Sequence, residues 1–474
     1  MSRRWDEPRR NEQAPGCYLI FTMTRRDVLG LALGSLTFPA HAEDRAVYLP
    51  LEQARPILES FAGELPGNLH ASPLTPEAWL AWETARDREI RDRLKRGDAD
   101  SVLNLVLFGT SFTAEPRVTD SSDLAGRLIL ARVKDMAQVV SHPGRNERLQ
   151  FAAEWLKQNG ADPNGPEAAK RVQAILLENA LRVLREQRAY AKAIDEAKRK
   201  EDAAGLFVKR SSLYQDRGLS LDTSFRPNYA IERSLAEINA AGLLRNVRRA
   251  AVIGPGLDFA DKRSGYDFYP IQTLQPFALI DSLRKLRLAG AAEPEVGIFD
   301  LSGRVLEHVR RAVAQAHAGV PYTVQIPLDG GTRWLPETID YWRKFGAEIG
   351  TEARSLSPPP GVEARMHAVR IRPAVVGLLR PADLDVVVQQ LPAADGRGFD
   401  LVVATNILVY YSPFEQSLAL RNIASMLRPG GLLLTNNALP EVAGVPMRPA
   451  GVTSLPYSED PDDGDRVLWY RRAG

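Results

Sequence analysis

One cysteine, Cys17, among 474 residues leaves the chain unable to close an internal disulfide or to build a thiolate metal centre. Histidine is nearly as scarce. The six present show no ligand spacing, and His308 and His317 read as surface or helix-end positions, so no metal site is expected. The only modestly apolar stretch near the front, Leu31 to Phe38, is far shorter than the roughly 20 residues of a membrane-spanning helix. Nor is there charge of one sign: 61 basic residues against 59 acidic ones give no electrostatic footprint for nucleic acid or an anionic membrane. No fixed repeat argues for a solenoid. Gly109-Thr110-Ser111-Phe112-Thr113 is not a nucleophile elbow, which removes Ser111 as a catalytic serine.

What is present begins at Arg248. The apolar run Arg248–Ile253 stops in Gly254-Pro255-Gly256, and a second run, Glu295–Phe299, ends on Asp300. A glycine turn after one strand and a carboxylate at the tip of the next is how doubly wound α/β proteins hold a nucleoside. The glycines let the backbone approach the ligand, and the acid accepts hydrogen bonds from ribose hydroxyls. A dinucleotide would want a third glycine and a full set of loop N–H groups facing its pyrophosphate. Phe259 holds that third position and Pro255 removes an N–H, so a ligand without phosphate fits better.

Phe399-Asp400-Leu401-Val402 opens a buried strand that runs out through Asn406-Ile407-Leu408-Val409-Tyr410-Tyr411. Ser412-Pro413-Phe414-Glu415 then starts a helix, with Ser412 at the N-cap and Glu415 closing a capping box. That helix ends at Arg428-Pro429-Gly430-Gly431, and Leu432–Thr435 begins another strand. This order resembles the class I S-adenosylmethionine-dependent methyltransferases, whose fourth strand commonly reads FDLV and whose fifth follows an LxPGG turn. The segment 406–411 looks most like the NVLIYF phrase of the chemotaxis-receptor (CheR-type) members. The resemblance covers roughly residues 245 to 474. It implies an α/β fold, a doubly wound Rossmann-like sheet of strand order 3-2-1-4-5-7-6, and S-adenosyl-L-methionine as cofactor.

Carried onto this sequence, the resemblance places the cofactor at Gly254, Gly256 and Asp300. The family's acid before the first glycine is replaced by Val252, so Asp258, at the third-glycine position, is the candidate partner of the methionine ammonium. The adenine-contacting acid is not evident; Val386–Leu391 holds its place, and Gln389 or Gln390 would meet the adenine amino group. Asn406, Tyr410 and Tyr411 are the candidate catalytic, acceptor-side residues, against the alternative of strand-end capping and aromatic packing. In-line transfer from a sulfonium asks chiefly for orientation, which is worth about 7–11 kcal/mol. The polar, aromatic insert 261–270 reads either as a lid or as an ordinary loop, and residues 320–380 as an elaboration over the substrate side.

At the front, Thr24-Arg25-Arg26, a weakly apolar core and Ala40-His41-Ala42 are the parts of a twin-arginine signal, with Met23 as an alternative start. Without residues 1–42, which carry six arginines and four acids, 55 basic and 55 acidic residues remain. The expected organisation is leader and signal over 1–42, an all-helical N-terminal domain over 43–205, a linker or lid over 206–245, and the methyltransferase-like domain over 246–474. Helices are expected from Thr75, over Asp100–Phe108, over Arg148–Gln158 and over 166–203, and Asp216, Arg217 or Asp222 in the joint can reach the pocket. Two functions follow: an exported, periplasmic methyltransferase of undefined acceptor that meets the twin-arginine translocon, or a non-catalytic exported scaffold that keeps the fold. A cytoplasmic location is the alternative to export.

Overall fold

The computed structural model describes residues 46–474 apart from 71–72, 119–122, 200–217, 261–265, 291, 329–332, 361, 393–396 and 461–462. Arg25, Arg26 and the rest of the expected signal, Asp216, Arg217 and half of the insert lie outside the described residues. The described chain opens with β1 (Val47–Tyr48), α1 (Leu51–Ser60), α2 (Pro76–Phe108), α3 (Asp123–Val139), α4 (Glu147–Gln158) and α5 (Ala168–Arg199). Next come α6 (Pro227–Ala240), β2 (Arg249–Ile253), α7 (Gln275–Lys285), β3 (Glu295–Asp300) and α8 (Gly303–His317). The remainder is β4 (Tyr322–Pro327), α9 (Pro336–Lys344), β5 (Gly350–Glu352), β6 (Met366–Ile371), α10 (Pro373–Val376), β7 (Leu379–Asp383), β8 (Gln389–Gln390), β9 (Phe399–Ala404), α11 (Pro413–Met426), β10 (Leu427–Thr435), β11 (Met447–Pro456) and β12 (Gly464–Arg472).

Seven strands form one sheet in the order β11-β12-β10-β9-β2-β3-β7. β7, β3, β2, β9 and β10 are parallel, while β12 runs antiparallel to both β10 and β11. Strand alternation feeds two cores. Ala250 and Val252 join Leu401, Val403, Leu432 and Leu434 on the side of α6, α7 and α8, whereas Ala251, Ile253, Val402, Ala404 and Leu433 face α1 and α11. With both faces covered, these strands read as unbroken apolar runs. α11 starts where the sequence indicates, through the reciprocal bonds of Ser412 and Glu415.

α2 is one helix of 33 residues, about 50 Å long, where the sequence suggests one helix from Thr75 and another over Asp100–Phe108. Its N-terminal half lays Trp79 and Trp82 on the sheet core, with Trp82 5.7 Å from the Phe414 ring. Its C-terminal half joins α3, α4 and α5 in a separate helical core. Along α2, Asp87 pairs with Arg91 at 2.8 Å and Glu89 with Arg86 at 2.7 Å, while Arg93 is buried. Arg132 of α3 closes the end of α2, donating to the carbonyls of Val106 at 2.6 Å and Pro116 at 2.9 Å and to that of Gly109. Cations belong at a helix C-terminus for this reason.

The elaboration after α8 is a small antiparallel sheet, β4-β6-β5, with α9 beside it. It does not cover a substrate side. Trp342 meets Phe225 at 4.8 Å and Tyr341 stacks on Tyr229 at 4.6 Å, so it extends the core beneath α6. The described part of the insert is likewise no lid. Buried Asp267 accepts the N–H groups of Thr110 and Ser111, both at 2.9 Å, and so pins the loop to the end of α2.

Candidate functional site

β2, β3 and β9 end on the same edge of the sheet, and the chain runs from β2 to β3 on one side and returns later to β9 on the other, the reversal of strand order at which open α/β sheets bind ligands. The Gly254-Pro255-Gly256 turn sits there. Both glycines have left-handed φ, 66° and 61°, which side chains resist. A Cβ on Gly254 would overlap Ile407, and one on Gly256 would come within 2.8 Å of Thr223 and 2.9 Å of the Leu221 carbonyl. Gly254 donates to the Phe299 carbonyl at 2.7 Å, fixing the turn against the neighbouring strand.

Asp300 stands at the end of β3, and its carboxylate accepts the Ser302 N–H at 2.7 Å. Burial pushes its pKa up to about 6, and Asp383 adds to that push; hydrogen bonds from the backbone of Ser302, Gly256 and Leu301 pull the other way. The group is therefore charged at neutral pH and loses its charge just below it. Asp383, its register partner on β7, is held bidentately by Arg91 at 2.6 and 2.9 Å.

A cavity of about 310 Å³ opens above this edge. Gly254, Gly256, Phe299, Asp300 and Ser302 form one side, and Thr405, Asn406, Ile407, Val409, Tyr410 and Tyr411 another. Leu384 and Val386 close the end, and Leu219 to Ser224 run across the top. The latter segment is the joint of the sequence reading, here a strap. Leu219 donates to the Arg93 carbonyl of α2 at 3.1 Å, Thr223 to Leu257 at 2.9 Å, and Leu257 to Leu221 at 2.7 Å. Asp222 faces the cavity from this strap, its Oδ2 accepting from Asn104.

Among the described lining residues the charges have one sign: Asp222 and Asp300 are the carboxylates, and none of these residues is Lys, Arg or His. Arg93 lies behind the wall, 5.7 Å from the centre of the Tyr411 ring. Burial holds the Tyr411 phenol well above its usual range. Asn406, in the left-handed region at φ 61°, is tied to Asn436, whose Oδ1 accepts its N–H at 2.9 Å.

Gly254, Gly256, Asp300, Asn406, Tyr410 and Tyr411 are thus brought together. Three expected residues are not. Asp258 is buried outside the cavity, accepting from Tyr269 at 3.2 Å and Gln272 at 3.0 Å, so it organises the loop after the turn. Gln389 and Gln390 sit in β8, paired with β1; the Gln389 side chain accepts the Asp385 N–H at 3.0 Å, and Gln390 reaches toward Gln53. The end wall is instead apolar, from Leu384 and Val386, with Asp385 between them turned inward and its carboxyl pKa pushed well up by burial. Asp222, Thr223 and Thr405 complete the lining; only Asp222 carried a signal, its place in a polar, glycine-broken joint.

No protein-family model matches the chain, and no curated protein matches it. Solved structures with which it shares similarity include magnesium protoporphyrin IX methyltransferase from Synechocystis with bound SAM, at 11% identity over 60% of this chain and 97% of that one, TM-score 0.25. Another is MtNAS in complex with MTA and tNA, at 11% identity over 82% of this chain and 98% of that one, TM-score 0.25. A third, described as a possible exported protein from Bordetella parapertussis, is 12% identical over 82% of this chain and 97% of that one, with a TM-score of 0.28.

Proposed function

We propose that the chain is an S-adenosylmethionine-dependent methyltransferase. The observation that carries this reading is the composition of the cavity: a strand-end carboxylate beside a double-glycine turn, a second carboxylate from the strap, and no cation among the described lining residues. Phosphate-bearing nucleotides are repelled by such a lining, whereas a nucleoside carrying a positive sulfonium and an ammonium is attracted. Numbered by their place within the large sheet, the strands run 3-2-1-4-5-7-6, the order the family resemblance implies.

The cofactor would lie with its ribose on Asp300, its adenine between the apolar walls of Leu384, Val386 and Ile407, and its methyl toward Asn406 and Tyr410. The acceptor stays undefined. Orientation at about 3–3.5 Å from the methyl supplies most of the rate. The scaffold reading would be favoured by a cleft filled with bulky side chains, and the cavity of about 310 Å³ speaks against it. Export through Arg25 and Arg26 is part of the proposal and rests on the sequence alone. Calorimetry of the chain from Glu43 onward tests the reading. S-adenosylmethionine and S-adenosylhomocysteine should bind, and NAD and ATP should not; binding of neither sulfur nucleoside at millimolar concentration overturns it.

A further inference from the structure

We propose that Asp222 is the cofactor's amino-acid anchor, the carboxylate that pairs with the ammonium of the methionine moiety. This inference rests on the methyltransferase reading above and assigns a residue that the sequence places outside the sheet domain altogether.

The argument is one of charge and position. A sulfonium nucleoside carries an ammonium at its amino-acid end, and the described lining of the cavity offers two carboxylates, Asp222 and Asp300. Asp300 is committed to the ribose side by its place at the end of β3 and by its hydrogen bond from Ser302 at 2.7 Å. Asp258, the sequence candidate, is buried outside the cavity under Tyr269 and Gln272. Val252 of β2 is fully buried in the core. Asp222 is left, and the strap fixes where it stands. It forms a bridge opposite Leu257, and a Cβ on Gly256 would be only 2.9 Å from the Leu221 carbonyl. Gly256 therefore lies between the two acids: Asp300 on the strand side, Asp222 on the strap side. A ligand laid across this turn puts its ribose at one and its amino-acid end at the other.

The carboxylate is also held for the task. Asn104 of α2, buried, donates to Oδ2, and the Asp222 N–H donates to Ser220 Oγ at 3.1 Å. Ser220 Oγ is in turn 3.0 Å from Ser101 Oγ. An acid braced by α2 in this way meets a cation without reorganising, which is where charge-assisted pairs gain their strength.

The test uses two nucleosides that differ in the amino-acid end. S-adenosylhomocysteine carries the ammonium; 5′-methylthioadenosine has the same adenosine and thioether without it. Calorimetry on the chain from Glu43 onward should show Asp222→Asn weakening S-adenosylhomocysteine about 10- to 100-fold, the range for a hydrogen bond to a charged group. The same variant should bind methylthioadenosine as the unmutated protein does. Asp300→Asn should weaken both nucleosides alike. Equal loss of both ligands in Asp222→Asn, with its melting temperature lowered, would make Asp222 a strut of the strap and overturn the assignment while leaving the methyltransferase reading intact. So would undiminished binding of S-adenosylhomocysteine. An unmutated protein that binds neither nucleoside overturns both.

Discussion

Asp300 was legible because strand-end chemistry is local: a short apolar run that stops on an acid puts the acid at the sheet edge. Its raised pKa gives a sign. If Asp300 holds the ribose, protonation leaves a weaker acceptor, so affinity for S-adenosylhomocysteine should be constant above pH 7 and fall as the pH drops through about 6. Asp300→Asn should abolish that pH dependence in a calorimetric series. Gly254→Ala should cost both fold and ligand, since φ is 66° and its new methyl would meet Ile407. Gln389 and Gln390 are misplaced for one reason. Val386–Leu391 looks like a strand, yet the third parallel strand is Leu379–Asp383, hidden by Pro381. Proline is tolerated there because β7 is the sheet's edge. With the strand moved upstream, Gln389 and Gln390 fall beyond the cavity. Asp258 was missed differently: spacing fixed its distance from the turn but not the side to which its carboxylate points. If Asn406 and Tyr410 act on the acceptor, Asn406→Ala and Tyr410→Phe should lower turnover and leave cofactor affinity nearly unchanged.

At the scale of elements, α11 follows closely from sequence because its capping box is complete. Ser412→Ala should destabilise the protein by about 0.5–2 kcal/mol, measurable by denaturant unfolding. The sequence suggests two helices because the charged stretch after Thr75 gives way to an apolar one over Asp100–Phe108, yet Gly97 lies inside a single helix. The absent side chain of Gly97 has a use: a Cβ there would overlap the Leu219 backbone, where the strap crosses the helix. Gly97→Ala should gain about 1 kcal/mol of helix propensity in isolation. In the protein it should instead lower the melting temperature and weaken nucleoside binding, because the strap must lift. Long-range crossings of this kind leave no periodic trace in a sequence.

Across the molecule, several acids carry pKa values raised by burial: Glu83 to about 8, Asp281 to about 6 and Asp300 to about 6. Each is raised above its unfolded value, so each binds its proton more tightly in the folded state. The stability they contribute is fully present below about pH 4 and declines as the pH rises. The shares of Asp281 and Asp300 are gone above about 6 and that of Glu83 above about 8. Melting temperature should therefore fall between about pH 4 and about 8, and Glu83→Gln should flatten the part of that slope above about pH 6. Export is tested by replacing Arg25 and Arg26 with lysine, which should leave an uncleaved precursor in the cytoplasm, whereas the unaltered chain should mature to begin at Glu43. The strap joins the helical core to the glycine turn through the amides of Leu219, Thr223 and Leu257. Those three protons sit on one rigid connection, so in hydrogen–deuterium exchange they should open with a single rate constant. Bound nucleoside should slow all three by the same factor.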